Sequence, residues 1–400
     1  MDRTKTITWN PYTAGYFKNP YPHLKECRET NPIHKGAQGA WTFFSYSDIS
    51  KIIRSSKFSV FSLSSYLQEK EPLIFEKSTA CPYLAKGTIL WPMYLNGAEH
   101  KHTRVIMGKA FKEIDMKVII PESLNELFRH FKGAKELDLE NFCTYFIYLV
   151  TKRMYDISNY EDYIKLKEYS NKLARSQDLY IPKQVYEEIN NWLHWGKKIL
   201  AVSDYRTTIE DFTKELNVNY SEDEINSLMA ISVMATFESS KDNLTMALCE
   251  ILGDRNLIDA TLVCNPKELD ILIEELFRFT SPLQFTVRIN QEPLEYGDIK
   301  IPEGSKLYLC LASANRDPIE FSDPDKVIHD RASNNHLAFG AGVHSCLGAQ
   351  IARQEMRLCL IPMINFLKNY SLVHPHSIKW SKQIFMRTME HCPLVSVSEN

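Results

Sequence analysis

Between Ser221 and about Gly253 the chain carries one uninterrupted helical pattern, and this limits the fold more than anything else in it. The segment opens at Ser221-Glu222-Asp223-Glu224, a Ser followed three residues later by Glu, which is a capping box. Apolar residues then fall on nearly every side of the first turns, at Ile225, Leu228, Met229, Ile231, Val233 and Met234. A helix of this length spans roughly 48 Å. Apolar all round at its start, it must cross an interior rather than lie on a surface, so the rest of the chain has to wall it in. The material is there: 44 % of the 400 residues are apolar, with 20 Phe, 20 Tyr and 6 Trp, which excludes a generally disordered chain.

A second helix opens at Asn265-Pro266-Lys267-Glu268, an N-cap followed by Pro at the first helical position, and stops before Pro282. Short β-favouring stretches follow at Thr286 to Ile289 and Lys306 to Leu311, with turns at Gly297-Asp298 and Pro302-Glu303-Gly304. A further hairpin is expected around Gln383 to Ser396. Fourteen Gly and 18 Pro are too few for an all-β sandwich, and no repeat or linker marks a boundary. The expectation is a mainly α chain with small β-sheets (α+β), residues 1–400 forming a single domain. A net charge of −3 leaves no electrostatic footprint for nucleic acid. No stretch approaches the roughly 20 apolar residues of a membrane span, and the polar run Met1 to Thr6 leads into no apolar signal region. The chain reads as soluble and cytoplasmic, without an anchor.

Nine cysteines, none in a CxxC pair, form neither a zinc spacing nor a small disulfide framework, and most are expected as buried, inert thiols. Cys346 differs. It lies in Phe339-Gly340-Ala341-Gly342-Val343-His344-Ser345-Cys346-Leu347-Gly348-Ala349, where glycines permit turns or close approach to a flat ligand. From Leu347 the pattern is helical, which places Cys346 at a helix N-terminus, where a thiolate is favoured. Such a thiolate could ligate a metal or attack an electrophile; a plain buried Cys in a turn is the alternative. Glu275-Leu276-Phe277-Arg278 is an i, i+3 charge pair among apolar residues, so either a surface pair or a buried one that needs partners. In Glu99-His100-Lys101-His102-Thr103-Arg104, His100 and Arg104 share a helix face suited to an anion. Zinc at the HxH would need further ligands.

These pieces, in this order, resemble the cytochrome P450 family of haem-thiolate monooxygenases, and the resemblance covers nearly the whole chain. Asn19-Pro20-Tyr21-Pro22 and Trp41 fit its N-terminal part, and Trp91 and Glu99 to Arg104 its C-helix. Ala235 to Ser240 fit its long I-helix; Glu275-xx-Arg278, Ser281 to Gln284 and Arg288 fit its K-helix and the following strand. Ala314 to Pro318, Asp330-Arg331 and the cysteine loop fit the remainder. The resemblance implies the cytochrome P450 fold, with haem b (iron protoporphyrin IX) between the long I-helix and the cysteine loop with its L-helix. Cys346 would be the thiolate ligand of the iron, with Phe339 and Gly348 beside it. His100, Arg104, Arg288 and His344 would bind the propionates. Glu275, Arg278 and Arg331 would form a structural network under the haem.

Carried over further, Glu238 would be the acid and Ser239 the alcohol of oxygen activation, with Ser replacing the usual Thr. Thr236 stands where Gly is common and could share that role; packing is the alternative for all three. Ala235, Leu283, Phe285 and Thr286 would line the substrate pocket. Its roof would come from residues 58–92 and about 175–203, rich in Phe61, Leu63, Tyr66, Leu67, Tyr180, Ile181, Trp192 and Trp195. An apolar substrate of medium to large size fits such a lining, free or bound to a carrier protein. The implied reaction is hydroxylation or epoxidation with dioxygen by a monomer, in specialised metabolism. NAD(P)H would act indirectly, through a separate ferredoxin or flavodoxin and its reductase, since no reductase is fused. Two alternatives compete. A peroxide-driven peroxygenase would carry a basic residue and Pro in place of Glu238-Ser239, and a silent partner-recruiting relative would tend to lose haem machinery that is present here.

Overall fold

In the computed structural model the capping box at Ser221 is formed. The Glu224 N–H donates to Ser221 Oγ, and the Ser221 N–H donates to the Glu224 carboxylate at 2.7 Å. The helix it starts runs 31 residues, Glu222–Leu252, and every residue from Leu228 to Met234 is buried. The structure describes residues 7–36, 39–61, 81, 83–157, 161–175 and 182–397. The chain forms two units built from alternating stretches, so no single cut separates them: residues 1–61, 259–346 and 378–390, and residues 62–258, 347–377 and 391–400.

The first unit centres on a five-stranded sheet in the order Ile33–Lys35, Trp41–Phe43, Lys306–Cys310, Phe285–Asn290, Phe58–Ser59. Trp41–Phe43 and Lys306–Cys310 run parallel and the other pairs antiparallel. Phe43, Leu307 and Leu309 of this sheet pack on Ile49, Ile52 and Ile53 of the helix Tyr46–Arg54. The helix Pro266–Thr280 has its own capping box from Asn265, and Ser281 ends it at φ +37°, a left-handed stop before Pro282. A hairpin the sequence reading places only as a turn pairs Leu294–Tyr296 with Ile299–Ile301 around Gly297.

The second unit surrounds the 31-residue helix with the helices Leu139–Met154, Glu161–Ala174, Lys183–Ile199, Asp204–Glu215 and Ala349–Leu367. Its small sheet has the order Glu136–Asp138, Pro393–Ser396, Tyr370–Leu372. Here the expected hairpin over Gln383 to Ser396 is corrected. Met389–His391 pairs with Lys379–Trp380, whereas Pro393–Ser396 pairs with strands some 20 and 250 residues away. One residue between two strands cannot turn them back on each other. Among the described residues no helix is long and apolar enough to cross a membrane.

Candidate functional site

In the first unit the segment from Phe339 to Cys346 is a loop drawn shut by backbone bonds. The Cys346 N–H donates to Phe339 O at 2.8 Å and the Gly340 N–H to Leu337 O at 2.9 Å. Gly342 has φ +68°, and a Cβ there would stand 2.8 Å from Ile53 O and 3.2 Å from Arg54 Cα. Only glycine lets the loop pass this close to the helix Tyr46–Arg54. Of the nine cysteines seven are buried and Cys264 is half-buried; Cys346 alone is exposed. Burial pushes the Cys27 thiol up to about 12 and raises Cys143, Cys310 and Cys359 as well. The helix that follows begins at Ala349 with Gly348 at its N-cap. Cys346 therefore precedes the N-cap by two residues rather than sitting in the first turn, and its N–H goes to the Phe339 carbonyl.

Arg288 lies on the strand Phe285–Asn290 and is only 5 % exposed. Its guanidinium donates to Val287 O at 2.8 Å and Thr286 Oγ1 at 3.2 Å, and among the described residues it has no ion-pair partner. Burial pulls its pKa down to about 10. A guanidinium buried this way calls for an anion. His344 is half-buried in the short turn Gly342–His344 of the same unit.

Glu275, wholly buried, is saturated with donors. It accepts from Arg278 Nε and Nη2 at 2.7 and 2.8 Å, Arg331 Nε at 2.8 Å, Ile328 N–H at 2.9 Å and Asn334 Nδ2 at 3.1 Å. Burial raises its pKa, but the bonds from Arg278 and Arg331 outweigh that and hold the carboxyl below its usual range. The residues left to pocket lining divide. Leu283 and Thr286 are half-buried, whereas Phe285 is 1 % exposed and packs on Trp9 at 4.8 Å and on Phe385. This corrects Phe285: neighbours on a strand point to opposite faces, so the face holding Thr286 and Arg288 excludes it.

In the second unit His100 is buried and Arg104 half-buried, one turn apart on the helix Gly97–Lys112. Trp91 is fully buried, and its indole Nε1 has no hydrogen-bond partner among the described residues. On the 31-residue helix, Ala235 and Ser239 form an open strip between buried turns. Ser239 Oγ donates to Ala235 O at 2.6 Å. Thr236 Oγ1 donates to Ser232 O at 2.8 Å and lies 3.1 Å from the Tyr155 hydroxyl.

Glu238 does not back Ser239, which corrects the acid–alcohol pairing expected from sequence. It is 4 % exposed and lies 3.3 Å from Lys241 Nζ, which also reaches Asp242 at 3.1 Å. Consecutive helical residues do not face one another, and Glu238 takes the interior side. A buried carboxyl that the sequence reading did not single out is Glu355 on the helix Ala349–Leu367. It is 2 % exposed, and burial pushes it up to about 8 although a hydrogen bond with the Ser240 side chain lowers it. Its position four residues before Cys359, on the stripe with Met356 and Met363, was the available signal.

Among the described residues no three His, Cys, Asp or Glu are grouped to hold a metal ion. Leu63, Tyr66, Leu67, Tyr180 and Ile181 lie outside the described residues, and Trp192 and Trp195 pack on each other at 5.3 Å.

Within the first unit, the exposed Cys346 in its closed loop and the buried Arg288, which has no ion-pair partner among the described residues, suit an anionic group. A family model described as Cytochrome P450 matches residues 229–390. The chain is 24 % identical over 414 residues to the biotin biosynthesis cytochrome P450 of Bacillus subtilis (strain 168), covering 97 % of this chain and 99 % of that one. It is 27 % identical over 354 residues to cytochrome P450 119 of Sulfurisphaera tokodaii, covering 85 % and 90 %. Among solved structures, P450BioI in complex with hexadec-9Z-enoic acid ligated acyl carrier protein matches with a TM-score of 0.82 at 22 % identity, over 96 % of this chain and 100 % of that one. Epothilone D-bound cytochrome P450epoK matches at 0.83 and 20 % identity, over 98 % and 100 %.

Proposed function

Because the chain belongs to the cytochrome P450 family, we propose that it is a haem-thiolate monooxygenase acting on an apolar, medium to large organic substrate. One oxygen atom of dioxygen enters the substrate by hydroxylation or epoxidation. Electrons come from NAD(P)H through a separate ferredoxin or flavodoxin and its reductase. The observation that carries this reading is Arg288, a 5 %-exposed guanidinium without a counter-charge among the described residues, in the same unit as the one exposed cysteine. A haem propionate would supply that counter-charge.

Bound haem supplies the iron at which dioxygen is activated. Cys346 would ligate it as the thiolate, with Phe339 packed beside the sulfur and Gly348 leaving room at the helix entry. Arg288, His344, His100 and Arg104 would hold the propionates, joined by the Trp91 indole. Glu275, Arg278 and Arg331 stiffen the layer that carries the loop. Ser239 spends its proton on Ala235 O and keeps its lone pairs, so it is placed to accept a hydrogen bond and hold water on the open strip. Glu355, pushed up to about 8, holds a proton at neutral pH and can pass it to Ser240 Oγ. This suits it to general-acid work better than Glu238, which is turned inward in an ion pair with Lys241.

For the substrate we favour an acyl or polyketide chain, either free or on a carrier protein. The support is the relatives' names: biotin biosynthesis, an acyl carrier protein complex and epothilone. The test begins with the reduced, haem-loaded protein under carbon monoxide, which should give the strongly red-shifted Soret band of thiolate ligation. Cys346→Ala should abolish the band, while Cys310→Ala and Cys359→Ala keep it. Aerobic turnover with a surrogate ferredoxin and reductase, over free and carrier-bound acyl chains alongside terpenoids, aromatics and peptides, then tests the substrate. Absence of the thiolate band in the parent overturns the reading; equal loss in all three variants overturns the ligand assignment.

A further inference from the structure

The helix Pro266–Thr280 carries two adjacent acids, and the Glu275 network uses only one. Glu274 turns the other way, to His336. Its carboxylate Oε2 lies 3.1 Å from His336 Nε2, and the imidazole is only 3 % exposed. The other ring nitrogen, Nδ1, accepts the Ala338 N–H at 3.3 Å. These two bonds fix the tautomer: Nδ1 must carry the lone pair and Nε2 the proton that goes to Glu274. A His held this way reads as a designed link between helix and loop rather than as a surface residue.

The link leads toward the cysteine. The ring of His336 packs on Phe339 at 5.8 Å and on Phe277 at 6.5 Å, and Phe277 packs on Phe339 at 4.6 Å. The Phe339 carbonyl receives the Cys346 N–H at 2.8 Å. One residue before Ala338, the Leu337 N–H is fixed to Asn315 Oδ1 at 2.7 Å. Residues 336–339 are thus tied from both sides, and the last of them holds the backbone of Cys346.

We propose that Glu274 and His336 form a clamp that positions Cys346 through Phe339 and keeps its sulfur on the metal as a thiolate. This rests on the haem-thiolate reading above. His336 is a positioning residue, since its contacts are with Glu274, the Ala338 N–H and the Phe339 ring, and its influence travels through the Ala338 N–H and the Phe339 ring and carbonyl. Outer partners that orient a metal ligand commonly change affinity by about 10-fold to 100-fold when removed.

The two halves of the clamp can be separated. His336→Asn keeps an acceptor for the Ala338 N–H but is too short to reach Glu274. His336→Gln keeps a donor toward Glu274 and loses the acceptor at the Nδ1 position. His336→Phe loses both, and Glu274→Gln keeps an acceptor oxygen for His336. Each haem-loaded protein is reduced under carbon monoxide, and two quantities are followed: conversion of the thiolate-type Soret band to the thiol-type band, and haem transfer to apomyoglobin. Conversion should be about tenfold faster or more in His336→Phe, intermediate in His336→Asn and His336→Gln, and near the parent in Glu274→Gln. A parent without the thiolate band refutes the haem-thiolate reading itself. A parent with the band and three His336 variants converting at the parental rate refutes the clamp. Should His336→Phe fail to load haem, the Asn and Gln variants decide by the same comparison. A variant that loses haem faster while its remaining thiolate band stays as persistent as the parent's also refutes it, because general loosening of the fold would do that.

Discussion

A buried charge without its counter-charge strains a fold more than almost any other single residue can, and among the described residues Arg288 has no ion-pair partner. Arg288→Met should therefore act with opposite signs on the two forms of the protein. Without haem it should raise stability to denaturant by about 1–3 kcal/mol, because a desolvated cation is removed. With haem it should speed transfer to apomyoglobin by about tenfold, because a propionate loses its partner. Destabilisation of the haem-free protein by the same change would mean that Arg288 already has its counter-charge within the fold. Glu355 makes a second residue-scale argument. Its folded pKa of about 8 lies above the ordinary 4.5, so between those values the folded state binds more protons than the unfolded one. Its contribution is intact below pH 4.5 and is lost as pH rises toward 8, at up to about 1.4 kcal/mol per pH unit. Glu355→Gln should flatten that dependence and make the protein more stable than the parent at pH 8. Denaturation midpoints at pH 5 and pH 8 measure it, and parallel slopes for parent and variant would count against the assignment.

At the scale of the element, the 31-residue helix has two sides with separate duties. One carries Glu238, Lys241 and Asp242, all below 5 % exposed; the other opens at Ala235 and Ser239. Lys241→Met would take the cation from between two buried carboxylates, Glu238 and Asp242, which should cost about 3–5 kcal/mol. Glu238→Gln should cost clearly less, since Asp242 still balances Lys241 at 3.1 Å; equal losses would show that the charges do not stabilise one another. Function should divide the other way. Ser239→Ala should divert reducing equivalents to peroxide with the thiolate spectrum intact, while Glu238→Gln should leave coupling near that of the parent. Product formed per NAD(P)H consumed, with peroxide measured alongside, separates them. Uncoupling by Glu238→Gln that exceeds Ser239→Ala would return the acid role to Glu238.

For the molecule as a whole, the net charge of −3 conceals local basic stretches. Lys101 and Lys112 are exposed on the helix Gly97–Lys112, and in the same unit Arg357 is exposed on the helix Ala349–Leu367. Gly108 of the first helix lies beside Leu347 at the start of the second segment. Lys109, by contrast, is paired with Glu215 and rests over Phe212. Reduction by an acidic ferredoxin should slow with added salt. Lys101→Glu and Lys112→Glu should slow it further, and Lys109→Glu should have a smaller effect. Rates indifferent to salt and to all three changes would place electron delivery elsewhere.

What the sequence alone determines here is what a few neighbouring residues decide among themselves. Both capping boxes, at Ser221 and Asn265, close within four residues, and the stop at Ser281 follows from Pro282. The singular setting of Cys346 is written in Gly340 and Gly342, although what Gly342 clears, the backbone at Ile53 and Arg54, is not. The charge pair Glu275 and Arg278 is visible from its spacing, but its donors Arg331 and Asn334 arrive from more than 50 residues away. Only tertiary structure decides which side of a helix or strand becomes the interior. That choice turns Glu238 inward to Lys241, seals Phe285 against Trp9, raises the proton affinity of Glu355 and assigns Pro393–Ser396 its distant partners. Hydrogen bonds and backbone sterics act within a turn, whereas burial depends on which remote segments are brought alongside, and nothing in the neighbouring sequence reports that.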